Sequence, residues 1–352
     1  MSERLRVLVS AYACEPDKGS EPGIGWNWVQ QIARFHDVWV ITRANNRQVI
    51  EAALQQNPLP NVTWIYFDLP RWSRFWKKWP GGVYLYYTLW QFGIYFVARK
   101  FHRRASFDLA HHVTFVNYWL PTFLFLLPVP FIWGPVGGGD TIPPAFYRSF
   151  NRRGQVYERL RVLVRWASEL NPIVRLTARR ARIALATTPE MALRLRRLGA
   201  QRVELMSQVA IAENEYEYLS QMPQRQSDSL RLLSMGQMAQ LKGFHMGLRV
   251  FAQLLHEHPD AEYWLVGDGH DRAWLERLAD ELGISHRVRF WGSLSRQEAL
   301  ARLAECDMLV HPSLRDSGGM VCAEAMAAGR PVMCLDLAGP AESPRPVPDS
   351  AG

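Results

Sequence analysis

The sequence predicts an α/β protein built from two parallel-sheet domains, and three observations carry that prediction. Short apolar runs rich in Val, Ile and Leu alternate with helical patterns along most of the chain, the arrangement that gives a parallel sheet with helices on both faces. The chain has 352 residues, 48% of them hydrophobic and 21% charged, which excludes a disordered or collagen-like polymer and exceeds what one core usually organises. A polar stretch without apolar periodicity, SQMPQRQSDS from Ser220 to Ser229, interrupts the alternation. The expected organisation is a first domain over 1–220 with an aromatic, basic insertion at 64–104, a linker at 221–230, a second domain over 231–340 and an irregular tail at 341–352.

In chain order, LRVLVSA (Leu5–Ala11) is the first strand, and the loop CEPDKGSEPGIG leads from it into the helical pattern WNWVQQIARF. Val38–Thr42, Val62–Phe67, Leu109–Val113, Phe131–Gly134 and residues 183–188 supply further strands, the last followed by a helix at Pro189–Leu198. Beyond the linker, RLLSMG, EYWLVG, VRFWG, MLVHPS and PVMCLDL read as five more strands, interleaved with helices near 243–258, 270–283, 295–306 and 319–329.

The formal charge of +8 divides unevenly, with +12 on residues 1–220 and −4 on residues 221–352. The cations gather at 71–104, where Arg71, Arg74, Lys77, Lys78, Arg99, Lys100, Arg103 and Arg104 stand without an acid, and at 148–182, where ten Arg face Glu158 and Glu169. Such patches attract polyanions. Residues 64–104 also hold fifteen of the 42 aromatic residues, and Trp79–Ala98 is twenty residues without a charge. Pro80-Gly81-Gly82 breaks its start. The remaining Val83–Ala98 would make a helix of about 24 Å, short of a hydrocarbon core of about 30 Å. Tyr and Trp rings beside Lys and Arg suit the headgroup boundary, so an anionic membrane surface is the expected partner, ahead of a plain internal helix and of a true span. Nucleic acid is not expected, because no RNP-type, helix-turn-helix or zinc-finger pattern accompanies the charge. Cys14, Cys306, Cys322 and Cys334 have neither zinc-site spacing nor framework density, and the N-terminus MSERLRVLVSAYA lacks a signal-peptide core. The expected location is the cytoplasm, with peripheral attachment at the inner face of the cell membrane.

The strongest chemical signal is RDSGGMVCAEAMAAGRPVMCLD. Asp316-Ser317-Gly318-Gly319-Met320 is a turn of small side chains opening directly onto a helix, so backbone N–H groups and the positive helix end converge where a phosphate can sit. Glu324, eight residues after Asp316, could accept bonds from the sugar hydroxyls of a nucleotide. The competing reading of the pair is a helix-capping Asp and a solvated Glu. In the first domain, GSEPGIGWNWV sets Gly19, Ser20, Gly23 and Gly25 before a helix, where backbone can approach a ligand; Glu15, Lys18 and Glu21 stand beside them. FDLAHHVTFVNYW ends a strand with His111 and His112, which must point to opposite faces, so at most one reaches a ligand. WGPVGGGD (Trp133–Asp140) is another loop at a strand end.

These motifs resemble those of the retaining family-4 glycosyltransferases of GT-B fold, the glycosyl transferases group 1. Asp316-x7-Glu324 followed by EAMAAGRPV is similar to the family's E-x7-E signature, with Asp in the first place. SMGQMAQLKGFHMGLRVFAQL, LVGDG and VRFWGSLSRQEALARLAECDMLVHPS resemble the preceding segments in order, so the resemblance covers residues 231–340. It implies two Rossmann-like domains facing across a cleft and a nucleotide-sugar donor on the second, with Lys242 beside the diphosphate, Glu324 on the ribose, and Asp316, Gly318, Gly319 and Met320 around it. Gln237 stands where the family commonly has Arg. A family histidine that contacts the transferred sugar corresponds to His112 in preference to His111, and the glycine loop faces the donor diphosphate and the acceptor.

No D-x-D-like motif is present, so no metal is expected; the nucleotide-sugar is a co-substrate and no cofactor is implied. After LDLAGP the tail AESPRPVPDSAG cannot continue a strand-helix pattern, and the second domain is expected to be incomplete. The reading is a retaining glycosyltransferase that moves a sugar from a nucleotide-sugar to a saccharide or lipid-linked acceptor in polysaccharide or glycolipid synthesis. The rivals are a non-catalytic sugar-nucleotide or membrane-surface binder and a nucleotide-sugar epimerase of the same fold.

Overall fold

The computed structural model describes residues 3–70, 81–209, 211 and 213–342. Arg71, Arg74, Lys77, Lys78, the tail beyond residue 342 and the side chain of Ser20 lie outside the described residues. The chain forms two compact units, residues 1–139 with 160–208 and residues 140–159 with 209–352.

The first unit is a parallel sheet of seven strands: β1 (Arg6–Ser10), β2 (Asp37–Arg43), β3 (Val62–Phe67), β4 (Leu109–His112), β5 (Phe131–Val136), β6 (Ile183–Ala186) and β7 (Val203–Leu205). Their order is β3-β2-β1-β4-β5-β6-β7. The period-2 alternation of β1 builds both faces, with Leu8 in one core and Val7 and Val9 in the other. Helices α1 (Ser20–Ala33) and α2 (Arg47–Gln56) cover the Val7 face. Helices α3 (Gly82–Ala105), α5 (Pro172–Arg180) and α6 (Pro189–Leu198) cover the Leu8 face. Helix α4 (Arg152–Glu169) precedes α5. The sequence pattern located six of the seven strands. It missed β7, whose three residues are too few for an alternation to register.

The second unit has five parallel strands, β8 (Arg231–Met235), β9 (Glu262–Val266), β10 (Val288–Gly292), β11 (Met308–His311) and β12 (Val332–Cys334), ordered β10-β9-β8-β11-β12. Helices α8 (Phe244–Leu254) and α9 (Arg272–Glu281) pack on one face. Helices α7 (Glu213–Ser220), α10 (Arg296–Ala304) and α11 (Met320–Ala327) pack on the other, and α12 (Ala338–Glu342) closes the described chain. Both units are α/β with parallel sheets, as the alternation required.

The aromatic segment is an ordinary core helix on one side. Tyr86, Tyr87, Trp90, Ile94 and Ala98 recur at helical spacing and are fully buried. Helix α3 runs seven residues past Ala98 into its charged end, yet no helix among the described residues is long and apolar enough to cross a membrane. This agrees with the expectation that placed a span last among the three readings. Its outer face exposes Leu85, Phe92 and Phe96, followed by Arg99, Lys100 and Arg103.

Candidate functional site

Each sheet has one point where the chain reverses its direction of winding, and in parallel α/β sheets ligands collect beyond the strand ends at that point. In the second unit it lies between β8 and β11. The loop after β8 carries Gln237 and Lys242, the loop after β11 carries Asp316, and Leu314 N–H donates to Leu241 O across them at 2.8 Å. Gly243 makes the approach possible: it sits at φ +70°, and a Cβ there would lie 1.9 Å from Pro312 O.

This packing joins three charged or titratable groups. Asp316 Oδ2 pairs with Lys242 Nζ and lies 3.3 Å from Nε2 of His311, the last residue of β11. Its Oδ1 accepts N–H bonds from Gly318 at 3.3 Å and Gly319 at 3.1 Å. Burial alone would raise the Asp316 carboxyl, but Lys242 and His311 outweigh it and hold the group well below the usual carboxylate range. The turn amides of Gly318 and Gly319 are thus engaged by Asp316, while Met320 opens α11 at the helix N-terminus. Gln237 is exposed at the end of β8.

Glu324 lies one turn into α11 and is buried, not solvated. It pairs with Arg296 Nη1 at 2.8 Å, and Arg296 Nη2 pairs with Glu215 of α7 at 2.7 Å. Burial raises the Glu324 carboxyl above its ordinary value, partly offset by Arg296. Two carboxylates therefore share one guanidinium. The sequence reading found Lys242, Asp316 and Glu324 but missed His311, Arg296 and Glu215. His311 could have been found from its place at the end of a parallel strand; the Arg296–Glu215 contact joins residues 81 positions apart and leaves no local signal.

In the first unit the reversal lies between β1 and β4. The glycine loop follows β1, and Ala13 N–H donates to Thr114 Oγ1 beyond β4 at 3.1 Å. Gly19 caps α1, which already contains Ser20, Gly23 and Gly25. The glycine requirement at the last two comes from the chain itself, because added Cβ atoms would lie 1.8 Å from Lys18 O and 2.1 Å from Ala13 O. Glu21 is turned inward and accepts the N–H of Phe115, a residue at the left-handed φ of +59°. Burial raises this carboxyl, with the backbone bonds from Phe115 and Val116 opposing.

His111 and His112 point to opposite faces, as the strand geometry required. His111 Nε2 lies 2.7 Å from Gly134 O, with its ring edge-on to Trp28 of α1. His112 Nε2 lies 2.9 Å from Tyr87 Oη under α3. A buried chain sets the tautomer of His112. Thr122 Oγ1 donates to Gln91 Oε1, Gln91 Nε2 donates to Tyr87 Oη, and the Tyr87 hydroxyl proton is left for His112 Nε2. The His112 proton then sits on Nδ1, a buried atom without a hydrogen-bond partner among the described residues. Burial pushes His111 down to about 4 and His112 to about 3, so both rings are neutral near pH 7.

Comparison with known proteins gives this geometry its relatives. Residues 217–345 match the model of the family described as glycosyl transferases group 1. The chain is similar to the lipopolysaccharide core biosynthesis glycosyltransferase LpsD of Rhizobium meliloti (strain 1021), with 33% identity over 154 residues, 44% of this chain and 43% of LpsD. It is also similar to the lipopolysaccharide core biosynthesis glycosyltransferase LpsE of the same organism, with 37% identity over 114 residues, 32% of each chain. The matches therefore span less than half of either curated relative. Among solved structures, HepE of Anabaena in complex with UDP and glucose aligns over 96% of this chain and 83% of its own, with a TM-score of 0.54 and 17% identity, a likeness of fold. The chain has the GT-B fold, and residues 217–345 of its second unit are similar to the glycosyl transferases group 1 family.

Proposed function

We propose that the protein is a glycosyltransferase that moves a sugar from a nucleotide-sugar donor to a saccharide or lipid-linked acceptor, with retention of anomeric configuration, in the assembly of lipopolysaccharide or a related glycan. The observation that carries this reading is the Lys242–Asp316–His311 cluster at the reversal point of the sheet in the group 1 domain. Glycosyl transfer breaks the anomeric C–O bond and leaves a nucleoside diphosphate on which negative charge grows. A Lys242 ammonium held by Asp316 stabilises that charge more in the transition state than in the ground state. Glu324 accepts from the donor ribose by exchanging its contact with Arg296. Gln237 offers the diphosphate a neutral donor where a cation is more usual, so Lys242 carries more of the burden. The N–H of Met320 completes the phosphate site at the start of α11.

The membrane half of the reading is a peripheral contact with the anionic inner face of the cell membrane. It is supported by the +12 charge of residues 1–220 and by the exposed apolar and basic outer face of α3. The test is donor hydrolysis or transfer with UDP-, GDP- and ADP-sugars. Lys242→Ala should lower kcat on the order of a hundredfold, and Glu324→Ala should chiefly raise donor KM. Turnover unchanged by both substitutions would falsify the site. A donor that binds without turnover would instead favour the non-catalytic binder, the reading motivated by Gln237.

A further inference from the structure

Helix α4 is inside out over its second half. The residues at 161, 165, 168 and 169 face the protein, and they are polar: Arg165 is buried and Arg161, Ser168 and Glu169 are half-buried. Arg161 Nη2 donates to Gly138 O at 3.0 Å, and its guanidinium lies over the Trp119 ring at 5.6 Å. Arg165 donates to Gly139 O, and its Nε donates to Tyr118 Oη at 3.3 Å. Glu169 pairs with Arg194 and accepts from Tyr118 Oη at 3.2 Å.

The outward residues are apolar. Leu160 is 57% exposed, Leu163 58%, Val164 52%, Trp166 62% and Leu170, just past the helix, 57%. A soluble surface helix has the opposite pattern, because apolar area left in water costs free energy that burial would recover. Contiguous exposed apolar area of this kind marks an interaction surface. The charge around it selects the partner. Between residues 160 and 182 the only acid is Glu169, which is engaged with Arg194, while Arg175, Arg179, Arg180 and Arg182 are exposed.

We propose that the Leu160–Leu170 face of this helix is the surface on which the protein lies on an anionic lipid membrane, with the arginines of α5 against the headgroups. This rests on the membrane half of the reading above and is independent of the transfer chemistry. Trp166 and the Leu side chains enter the headgroup boundary, where an amphipathic helix parallel to the surface is stable. The arginines add electrostatic attraction that salt weakens. The inward arginines hold Gly138 and Gly139, which follow the carboxyl end of β5, where a parallel sheet receives its ligand. The lipid surface and the ligand end of the first unit are thus connected through one helix, which brings a lipid-linked acceptor to the strand ends without a spanning segment.

The test is sedimentation of the full chain with phosphatidylcholine vesicles, with and without phosphatidylglycerol. The expected result is binding to the anionic vesicles that weakens with salt, and that falls more than about tenfold in the double variant Leu163→Gln/Trp166→Gln. Phe92→Gln/Phe96→Gln on α3 should lower it less. Hydrogen exchange of the unmodified chain, which depends on no variant's folding, should slow across residues 160–170 when anionic vesicles are added. If the unmodified chain does not sediment, this inference and the membrane reading fall together. If it sediments and the α4 variant sediments equally, or exchange at 160–170 is unchanged, only the placement on α4 is overturned. A dimer that the α4 variant dissociates, with vesicle binding intact, makes the face a self-association surface and also overturns it.

Discussion

His112 has one ring nitrogen committed to a hydroxyl and the other unpartnered among the described residues, with the whole ring buried. Tyr87 fixes Nε2, and the proton on Nδ1 has no partner among the described residues. Tyr87→Phe should therefore do two things. It leaves His112 Nε2 and Gln91 Nε2 buried without the shared hydroxyl, a loss of about 1–3 kcal/mol in chemical denaturation. It also releases the tautomer, which nitrogen-15 shifts of the ring would report as a mixture where the unmodified protein has one form. A ring that stays in one tautomer in the variant would show that Tyr87 does not set it. The burial of both histidines has a pH consequence of definite sign. Their folded values of about 4 and about 3 lie below the unfolded value near 6.5, so the unfolded chain binds more protons between those limits. The stability associated with their neutral forms is complete above about pH 6.5 and is lost as pH falls toward the folded values.

Helices α3 and α4 show which parts of an element are legible in sequence. In α3 the apolar spacing at 86, 90, 94 and 98 faces the core, so the pattern and the structure agree. Trp90, fully buried with its indole N–H donating to Phe67 O at 2.9 Å, should cost about 3–5 kcal/mol on change to Ala. Phe92→Ser on the outer face of the same helix should move stability by less than about 0.5 kcal/mol in the same denaturant titration. Equal losses from the two would mean that α3 is not oriented as described. In α4 the same apolar periodicity points outward, because the inner stripe must supply donors to the carbonyls of Gly138 and Gly139. Periodicity gives the face but not its direction, so the sequence reading saw the arginines of 148–182 as a charge patch and not as a clamp. The candidate site divides along the same line. Lys242 and Asp316 follow strands whose ends were visible in the sequence, whereas the sharing of Arg296 by Glu324 and Glu215 depends on which helices pack together.

At the scale of the molecule, the two units have separate cores and separate sheets, and the group 1 match at 217–345 falls wholly within the second unit. Donor binding by the second unit requires that a nucleoside diphosphate stabilise that unit by mass action, whatever the acceptor. At a free concentration about 100 times Kd the stabilisation is about 2.7 kcal/mol, which for a unit of this size raises its melting temperature by several degrees. The matching nucleoside diphosphate among UDP, GDP and ADP should produce that shift, and Lys242→Ala should remove most of it by taking away the cation opposite the phosphates. Hydrogen exchange distinguishes the units in the same experiment. Protection should rise in the loops after β8 and β11 and in α11, while the core strands β1, β2 and β4 of the first unit keep their exchange rates. If none of the three nucleotides shifts the melt at millimolar concentration, the second unit does not hold a nucleotide-sugar. If the shift survives Lys242→Ala undiminished, the nucleotide is held without the ammonium, and the Lys242–Asp316 pair is a structural bridge between two loops.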